Sequence, residues 1–368
     1  MMRLSTLIEQ FEAPLLAQYA EQLLPEHRQA LSAMKTCRNA LSPRMQAQCR
    51  ACEERMFVPH SCGHRACPHC QHHESQQWLE RQLKALVPGE YFLLTFTLPA
   101  EFRALAFAHQ RPLYGALMQC AWQTVRTFSL NNKHLQGMPG AIAVLHTHSR
   151  RLDYHPHVHL VMPAAAVDTE KRVWRTQADQ GKSGYLFSHK ALAKVFRAKM
   201  LAAITEVGLS LPPRHPEQWV VDCKSVGSGE KALVYLGRYL YRGVLQEKDI
   251  LTCNNGQVTF RYQDNKTRRR QTRTLPGAAF LWLLLRHVLP KGLRRARNFG
   301  FLHPNSKRLL QLLQLLLKLA LGRAACGKPR PALICPCCGG DMKIIRTRIR
   351  PSPTGDEPTA VAEGALAM

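Results

Sequence analysis

Residues 141–162 read AIAVLHTHSRRLDYHPHVHLVM. Two apolar-rich runs, 141–149 and 155–162, flank the polar stretch RRLDY. Short apolar runs around a polar turn predict a two-stranded hairpin. Side chains alternate faces along a strand. Ile142, Val144, His146 and His148 therefore share one face, and on the partner strand His155, His157, His159 and Val161 share one. With the turn over 149–154, His148 is expected opposite His155 and His146 opposite His157. Opposed residues stand about 5 Å apart and diagonal ones about 7–8 Å. His146, His157 and His159 can then converge on one divalent cation, Mg²⁺ or Mn²⁺. Three imidazoles also suit a catalytic zinc. Val158 and Leu160 point the other way, toward a helix-packed core. Pro156 lacks an N–H in mid-strand and marks an edge or a bulge. A bulge would shift the pairing and make His148, His155 or Asp153 the third ligand.

Downstream, GEKALVYLGRYLYRGV at 229–244 has helical spacing, with Ser228 as its N-cap. Tyr235 and Tyr239 stand at i and i+4, one turn apart on one helical face. A phenol has a pKa near 10 and is a weak nucleophile at neutral pH. Its attack on a phosphodiester needs a cation on the phosphate and basic groups for the added charge. A tyrosine ester keeps the bond energy for rejoining, whereas water would waste it. Two tyrosines allow two successive strand transfers. Taken alone, a Tyr-x3-Tyr helix more often marks aromatic packing against a sheet. It gains weight from the histidine face beside it.

The surrounding pattern predicts an α+β fold. YFLLTFTLP at 91–99, WVVDCKSV at 219–226, and the pair VTFRYQD and RRRQTRTL read as strands. Residues 101–130 and 187–204 read as helices. The spacing follows no strict βαβ repeat, so an antiparallel sheet with helices on one face is expected.

Thirteen cysteines cluster in CxxC pairs, which points to zinc rather than disulfides. Cys49-x2-Cys52 and Cys67-x2-Cys70 are separated by fourteen residues and match a four-cysteine zinc site. Arg50, Arg55 and Arg65 interleave these cysteines, a pattern consistent with DNA docking. Cys37, Cys62 and His64 are left over; they form a second, incomplete site or exchange into the first. CPCCGG, from Cys335 to Gly340, looks like half a zinc ribbon whose partners are missing apart from Cys326.

The chain carries 51 Lys and Arg against 25 Asp and Glu, a formal charge of +26. Such a charge attracts nucleic acid. No basic-then-apolar leader opens the sequence, and the apolar stretches near 278–290 and 309–322 are broken by charge or Gln. A cytoplasmic, DNA-associated protein without membrane spans is expected. No GxxxxGK[ST] loop is present, so no nucleotide cofactor is expected.

Together these segments resemble the rolling-circle transposases of the insertion-sequence-91 family, including those of common-region elements. The matching stretches are CRACEERMFVPHSCGHRACPHCQ, YFLLTFTLP, AVLHTHSRRLDYHPHVHLVMP, YLGRYLYRGV, HVLPKGLRRARNFGFL and ICPCCGGDM, in family order over about residues 35 to 342. The resemblance implies an HUH-endonuclease core preceded by a cysteine-rich zinc-binding domain. His157 and His159 would be the metal-binding pair, and Tyr235 and Tyr239 the nucleophiles. It implies nicking of one strand at the element end, linkage to the 5′ phosphate and movement of single-stranded DNA. Tyr241 departs from a histidine common in the family, and His148 from an aromatic residue. Composition divides the chain into a helical and zinc-binding DNA-recognition region (1–76), a catalytic region (77–300), and a C-terminal helix, CPCC motif and disordered tail (301–368). Two other readings use the same residues. A plasmid replication initiator or relaxase would share the chemistry. A zinc-dependent DNA-binding regulator would need no histidine triad.

Overall fold

The computed structural model describes residues 2–39, 42–70, 72–171, 173–177, 186–241, 244–264, 267, 269–317 and 332–350. The expected tail from Pro351 onward lies outside them.

Two helices, α1 (Leu4–Tyr19) and α2 (Pro25–Lys35), precede a hairpin of β1 (Arg44–Cys49) and β2 (Arg55–Pro59). Helix α3 (His72–Lys84) leads into β3 (Tyr91–Thr97), and α4 (Arg103–Ala108) and α5 (Gln110–Asn131) follow. Next come β4 (Met138–His148), β5 (Tyr154–Pro163), β6 (Ala165–Asp168) and β7 (Val173–Thr176). Helix α6 (His189–Glu206), strand β8 (Val221–Ser225) and helix α7 (Glu230–Tyr241) complete the centre. Strands β9 (Ile250–Asn254), β10 (Gln257–Gln263) and β11 (Arg270–Pro276) form a meander ending in α8 (Gly277–Leu285). The chain continues through β12 (Ala296–Gly300), α9 (Lys307–Leu316), β13 (Leu333–Ile334) and β14 (Asp341–Ile349).

The main sheet runs β7-β6-β4-β5-β3-β8, with β12 also paired to β4, and its described pairings are antiparallel. The α+β architecture is therefore the one the sequence predicts. One detail differs: helices cover both faces. Strand β4 is buried along almost its whole length. Ala141, Ala143 and Leu145 pack with Leu117, Ala121 and Val125 of α5 and with Phe196 and Met200 of α6. Ile142 and Val144 pack on the other side with Leu233, Leu236 and Leu240 of α7 and with Trp78 of α3. A continuous Val/Ile/Leu/Ala run is what a strand buried on both faces requires. Each large side chain buried this way is worth about 1.5–3 kcal/mol of transfer free energy.

The regions set apart by composition interleave in space. Helix α1 buries Leu7, Ile8, Phe11 and Leu15 in one core with Val258 and Phe260 of β10 and Phe280 and Leu281 of α8. Tyr19 stacks on Trp282 at 5.2 Å. Strand β14 returns to pair with β1, Cys49 standing opposite Met342, in a sheet ordered β13-β14-β1-β2. Thus residues 333–349 complete the N-terminal sheet. No helix among the described residues is long and apolar enough to cross a membrane.

Candidate active site and cysteine centres

The β4–β5 hairpin carries the histidines. His146 pairs with His157, as alternation predicts. Beyond that pair the register shifts, and His148 stands opposite Tyr154 rather than His155. An irregularity beside Pro156 replaces the expected His148–His155 pair. One side chain from each of His146, His157 and His159 offers a nitrogen within 4.8 Å of the others. Ring centroids lie 4.4 Å apart for His146–His159, 5.1 Å for His146–His157 and 4.9 Å for His157–His159. The alternative third ligands face elsewhere. His148 lies 5.3 Å from the His287 ring. His155 Nδ1 meets Arg103 Nη2 at 2.8 Å, and Asp153 accepts from Arg273 at 2.8 Å.

The triad fits a divalent cation. His146 and His157 are buried and His159 is half-buried on one face, and desolvation holds all three pKa values below the ordinary histidine range, His157 to about 4. Neutral imidazoles keep a lone pair for a metal. Outer partners fix which nitrogen faces inward. His157 Nδ1 donates to the His155 carbonyl at 2.7 Å, leaving Nε2 for a ligand. His159 Nδ1 meets the Thr95 hydroxyl at 3.0 Å across the β3–β5 pairing.

Helix α7 brings a tyrosine over this face. The turn after β8 uses Gly227 (φ +63°) and Gly229 (φ +80°), a region that disfavours side chains. A Cβ at Gly229 would also stand 2.7 Å from the Tyr91 ring. The helix then buries Ala232, Leu233, Leu236 and Leu240. This leaves Tyr235 on the histidine side, its ring centroid 6.1 Å from His159 and 6.5 Å from His146. Tyr235 is 37% exposed. Tyr239 lies one turn further along the helix, but its side chain falls outside the described residues, as does Arg242. Arg295 ties the last turn of α7 to β4. Its Nε donates to the Leu145 carbonyl at 3.1 Å and its Nη1 to the Leu240 carbonyl at 3.3 Å.

Beside Tyr235 opens a groove of about 550 Å³. Arg150, Arg238, Lys248, Arg261 and Arg270 line it, against the single carboxylate of Asp249. This charge balance suits a phosphodiester backbone. Sequence reading passed over Thr95 and Arg295. Both lie in stretches singled out for other reasons, one as a strand and one within a matching segment.

The cysteines group differently from the expected Cys49, Cys52, Cys67, Cys70 site. The two CxxC pairs go to separate clusters. Cys67 and Cys70 join Cys37 and Cys62, and Cys49 and Cys52 join Cys335 and Cys338. The reason is topological: β1 pairs with β2 and β14, whereas Cys37 follows α2 and meets the Cys62–Cys70 loop. In the first cluster Cys37 Sγ lies 3.7 Å from Cys70 and 3.6 Å from Cys67. The leftover cysteines of the sequence thus complete this cluster. His64 does not join it; its Nδ1 accepts from the Ala66 N–H at 3.2 Å. Cys326, the partner expected for CPCC, lies outside the described residues. Arg65 does not present its charge for DNA docking. Its guanidinium donates to the carbonyls of Leu289, Pro290 and Leu293 at 2.6–2.9 Å.

The site thus combines a histidine triad on an antiparallel sheet, a tyrosine helix facing it and two cysteine clusters. Residues 140–309 match the family model described as "Putative transposase", and residues 7–98 match the one described as "Transposase zinc-binding domain". The chain belongs to the insertion-sequence-91 family of transposases. It is 31% identical over 298 residues to "Putative transposase y4qJ" of Sinorhizobium fredii, covering 75% of this chain and 74% of the relative. It is 29% identical over 274 residues to the transposase for insertion sequence element IS801 of Pseudomonas savastanoi pv. phaseolicola, covering 68% of this chain and 64% of the relative. Among solved structures, conjugative relaxase TrwC with mutant OriT DNA is 14% identical over 62% of this chain and 75% of that one, at a TM-score of 0.26. Its metal-bound complex with OriT DNA is 12% identical over 81% and 96%, at a TM-score of 0.28.

Proposed function

We propose that this transposase nicks and rejoins single-stranded DNA at element ends, with Tyr235 as the first nucleophile. The observation that carries the reading is the placement of Tyr235 within 6.1–6.5 Å, ring to ring, of His146 and His159. His146, His157 and His159 would hold a divalent cation, Mg²⁺ or Mn²⁺, which when bound polarises a non-bridging phosphate oxygen. The basic groove takes the DNA backbone and sets the scissile phosphate against the phenol. Tyr235 Oη attacks phosphorus, and the bond from phosphorus to the 3′ oxygen breaks. The departing strand leaves as a 3′-hydroxyl that takes up a proton, and the phenol proton passes to water. The product is a 5′-phosphotyrosine ester, which a 3′-hydroxyl can reopen in the reverse sense. Arg238, one turn from Tyr235, lines the groove and stabilises the added charge. Tyr239 would serve a second transfer. Zinc in the cysteine-rich module would support recognition of the element end. No nucleotide is consumed, because the ester stores the energy. Such chemistry belongs where the cell's DNA is, in the cytoplasm of a bacterium.

The test is a denaturing gel of the protein with single-stranded element-end DNA and Mn²⁺. A covalent adduct is expected. It should vanish with chelator and in the Tyr235→Phe, Tyr239→Phe double variant. Tyr235→Phe alone should cut the first adduct at least a hundredfold. An adduct that survives the double substitution sinks the nucleophile assignment. Salt-sensitive binding with no adduct under any metal would favour the regulator reading.

A further inference from the structure

The second cysteine cluster joins segments 289 residues apart, Cys49 Sγ lying 3.4 Å from Cys338 Sγ. Cys52 Sγ lies 3.6 Å from Cys335 Sγ, and the four sulfurs are all within 4.8 Å of one another. These separations are too long for disulfides, at about 2.05 Å. They are near the ~3.8 Å edge of a sulfur tetrahedron built on zinc–sulfur bonds of about 2.3 Å. All four cysteines are free thiols.

The two halves are built alike. In each, the N–H of the first cysteine bonds the carbonyl five residues on: Cys49 to Glu54 and Cys335 to Gly340, both at 2.8 Å. In each, the residue after the second cysteine has positive φ, +59° at Glu53 and +72° at Gly339. The Ala51 N–H points at Cys49 Sγ at 3.3 Å. Gly340 sits where a Cβ would stand 3.3 Å from Cys338 Sγ and 3.6 Å from Cys49 Sγ. Two matched loops presenting their thiols to one point form a ligand cage.

What else holds this sheet is small. Its buried apolar cluster is Ala47, Cys49, Cys335 and Met342, with Met56 and Leu333 packed beside it. Two of those four are themselves cage cysteines. A core this small falls well short of what an apolar sheet needs, and a structural metal is the usual substitute.

We propose that Cys49, Cys52, Cys335 and Cys338 bind a second structural Zn²⁺, separate from the cluster of Cys37, Cys62, Cys67 and Cys70. This ion fastens the CPCC segment to the N-terminal hairpin and makes residues 333–349 part of the same recognition module. Four soft thiolates at tetrahedral spacing select zinc over the harder cations suited to the active site.

The full-length protein, purified with zinc present and carrying His157→Ala and His159→Ala so that the histidine site holds no ion, should contain two zinc ions per chain by atomic emission. Cys335→Ser with Cys338→Ser should leave one. Adding Cys49→Ser and Cys52→Ser should still leave one, because the first cluster is untouched. A measurement on the unsubstituted chain guards against misfolding of variants. Cys52 and Cys338 are exposed as residues, like Cys337. With iodoacetamide, Cys337 should label at once, while Cys52 and Cys338 label at least tenfold more slowly until a chelator strips the metal. One zinc per chain in the protein with all its cysteines intact overturns the proposal. So does equal labelling of the three cysteines before chelation, or a Cys49–Cys338 disulfide in the non-reduced digest.

Discussion

His159 is held from outside by Thr95, and that one hydroxyl shows what alternation can and cannot reveal. His146, His157 and His159 were legible because strand alternation puts them on one face whatever the fold around them. Thr95 was not, because a threonine inside YFLLTFTLP signals only β propensity. Its role appears once β3 pairs with β5 and sets Thr95 opposite His159. Removing a partner that orients a ligating imidazole typically costs about 10–100-fold in metal affinity. Thr95→Val keeps the shape and deletes the hydroxyl. We expect Mn²⁺ affinity, measured by calorimetry on the full chain, to fall within that range. Unchanged affinity would show that the hydroxyl has no part in orienting the ring.

At the scale of elements, the hairpin and the tyrosine helix follow from local pattern, and the covering of both sheet faces follows from β4 itself. Its apolar residues do not alternate with polar ones before His146, which already excludes a solvated face. Helix α2 shows a different economy. Its first turn is capped by a side chain from within the helix, the Leu24 N–H donating to His27 Nδ1 at 3.2 Å. His27 is buried beside Trp282 and Phe107, and burial lowers its pKa to about 4. Protonation would convert the acceptor to a donor and place a charge in that core. The folded pKa lies below the unfolded value of about 6.5. The unfolded chain therefore binds more protons between pH 6.5 and 4, and stability falls as pH falls through that window. The contribution at stake is about 3 kcal/mol. In denaturant melts, His27→Gln should weaken the fall between pH 7 and pH 5 relative to the unsubstituted chain. An identical fall in both would assign it to other groups.

For the whole molecule, charge was legible and long-range pairing was not. A formal +26 points to nucleic acid from composition alone, but only the fold gathers Arg150, Arg238 and Arg270 around one groove. If each contacts a phosphate, replacing one by Gln lowers the slope of log affinity against log salt by about one. Titrations of single-stranded DNA at several salt concentrations would measure it. An unchanged slope would place the backbone elsewhere. The cysteines failed at this scale for a combinatorial reason. Two CxxC pairs close in sequence looked like one site, yet nothing local could say that a strand near residue 342 would pair with β1 and bring Cys335 and Cys338 to the first of them. Arg65 misled similarly, its charge visible in the sequence and its three carbonyl partners not.

The pairing of β1 with β14 has a consequence for how the protein is made. Cys49 leaves the ribosome 289 residues before Cys338. At roughly 5–20 residues per second, the first hairpin waits some tens of seconds for its partner strand. Throughout that interval β1 exposes an unpaired edge, although the histidine hairpin has already been synthesised. The strand that finishes the N-terminal sheet thus emerges after the histidine hairpin and the tyrosine helix. A chain cut short before CPCC would carry the triad and Tyr235 but leave the edge of β1 open and Cys49 and Cys52 without Cys335 and Cys338.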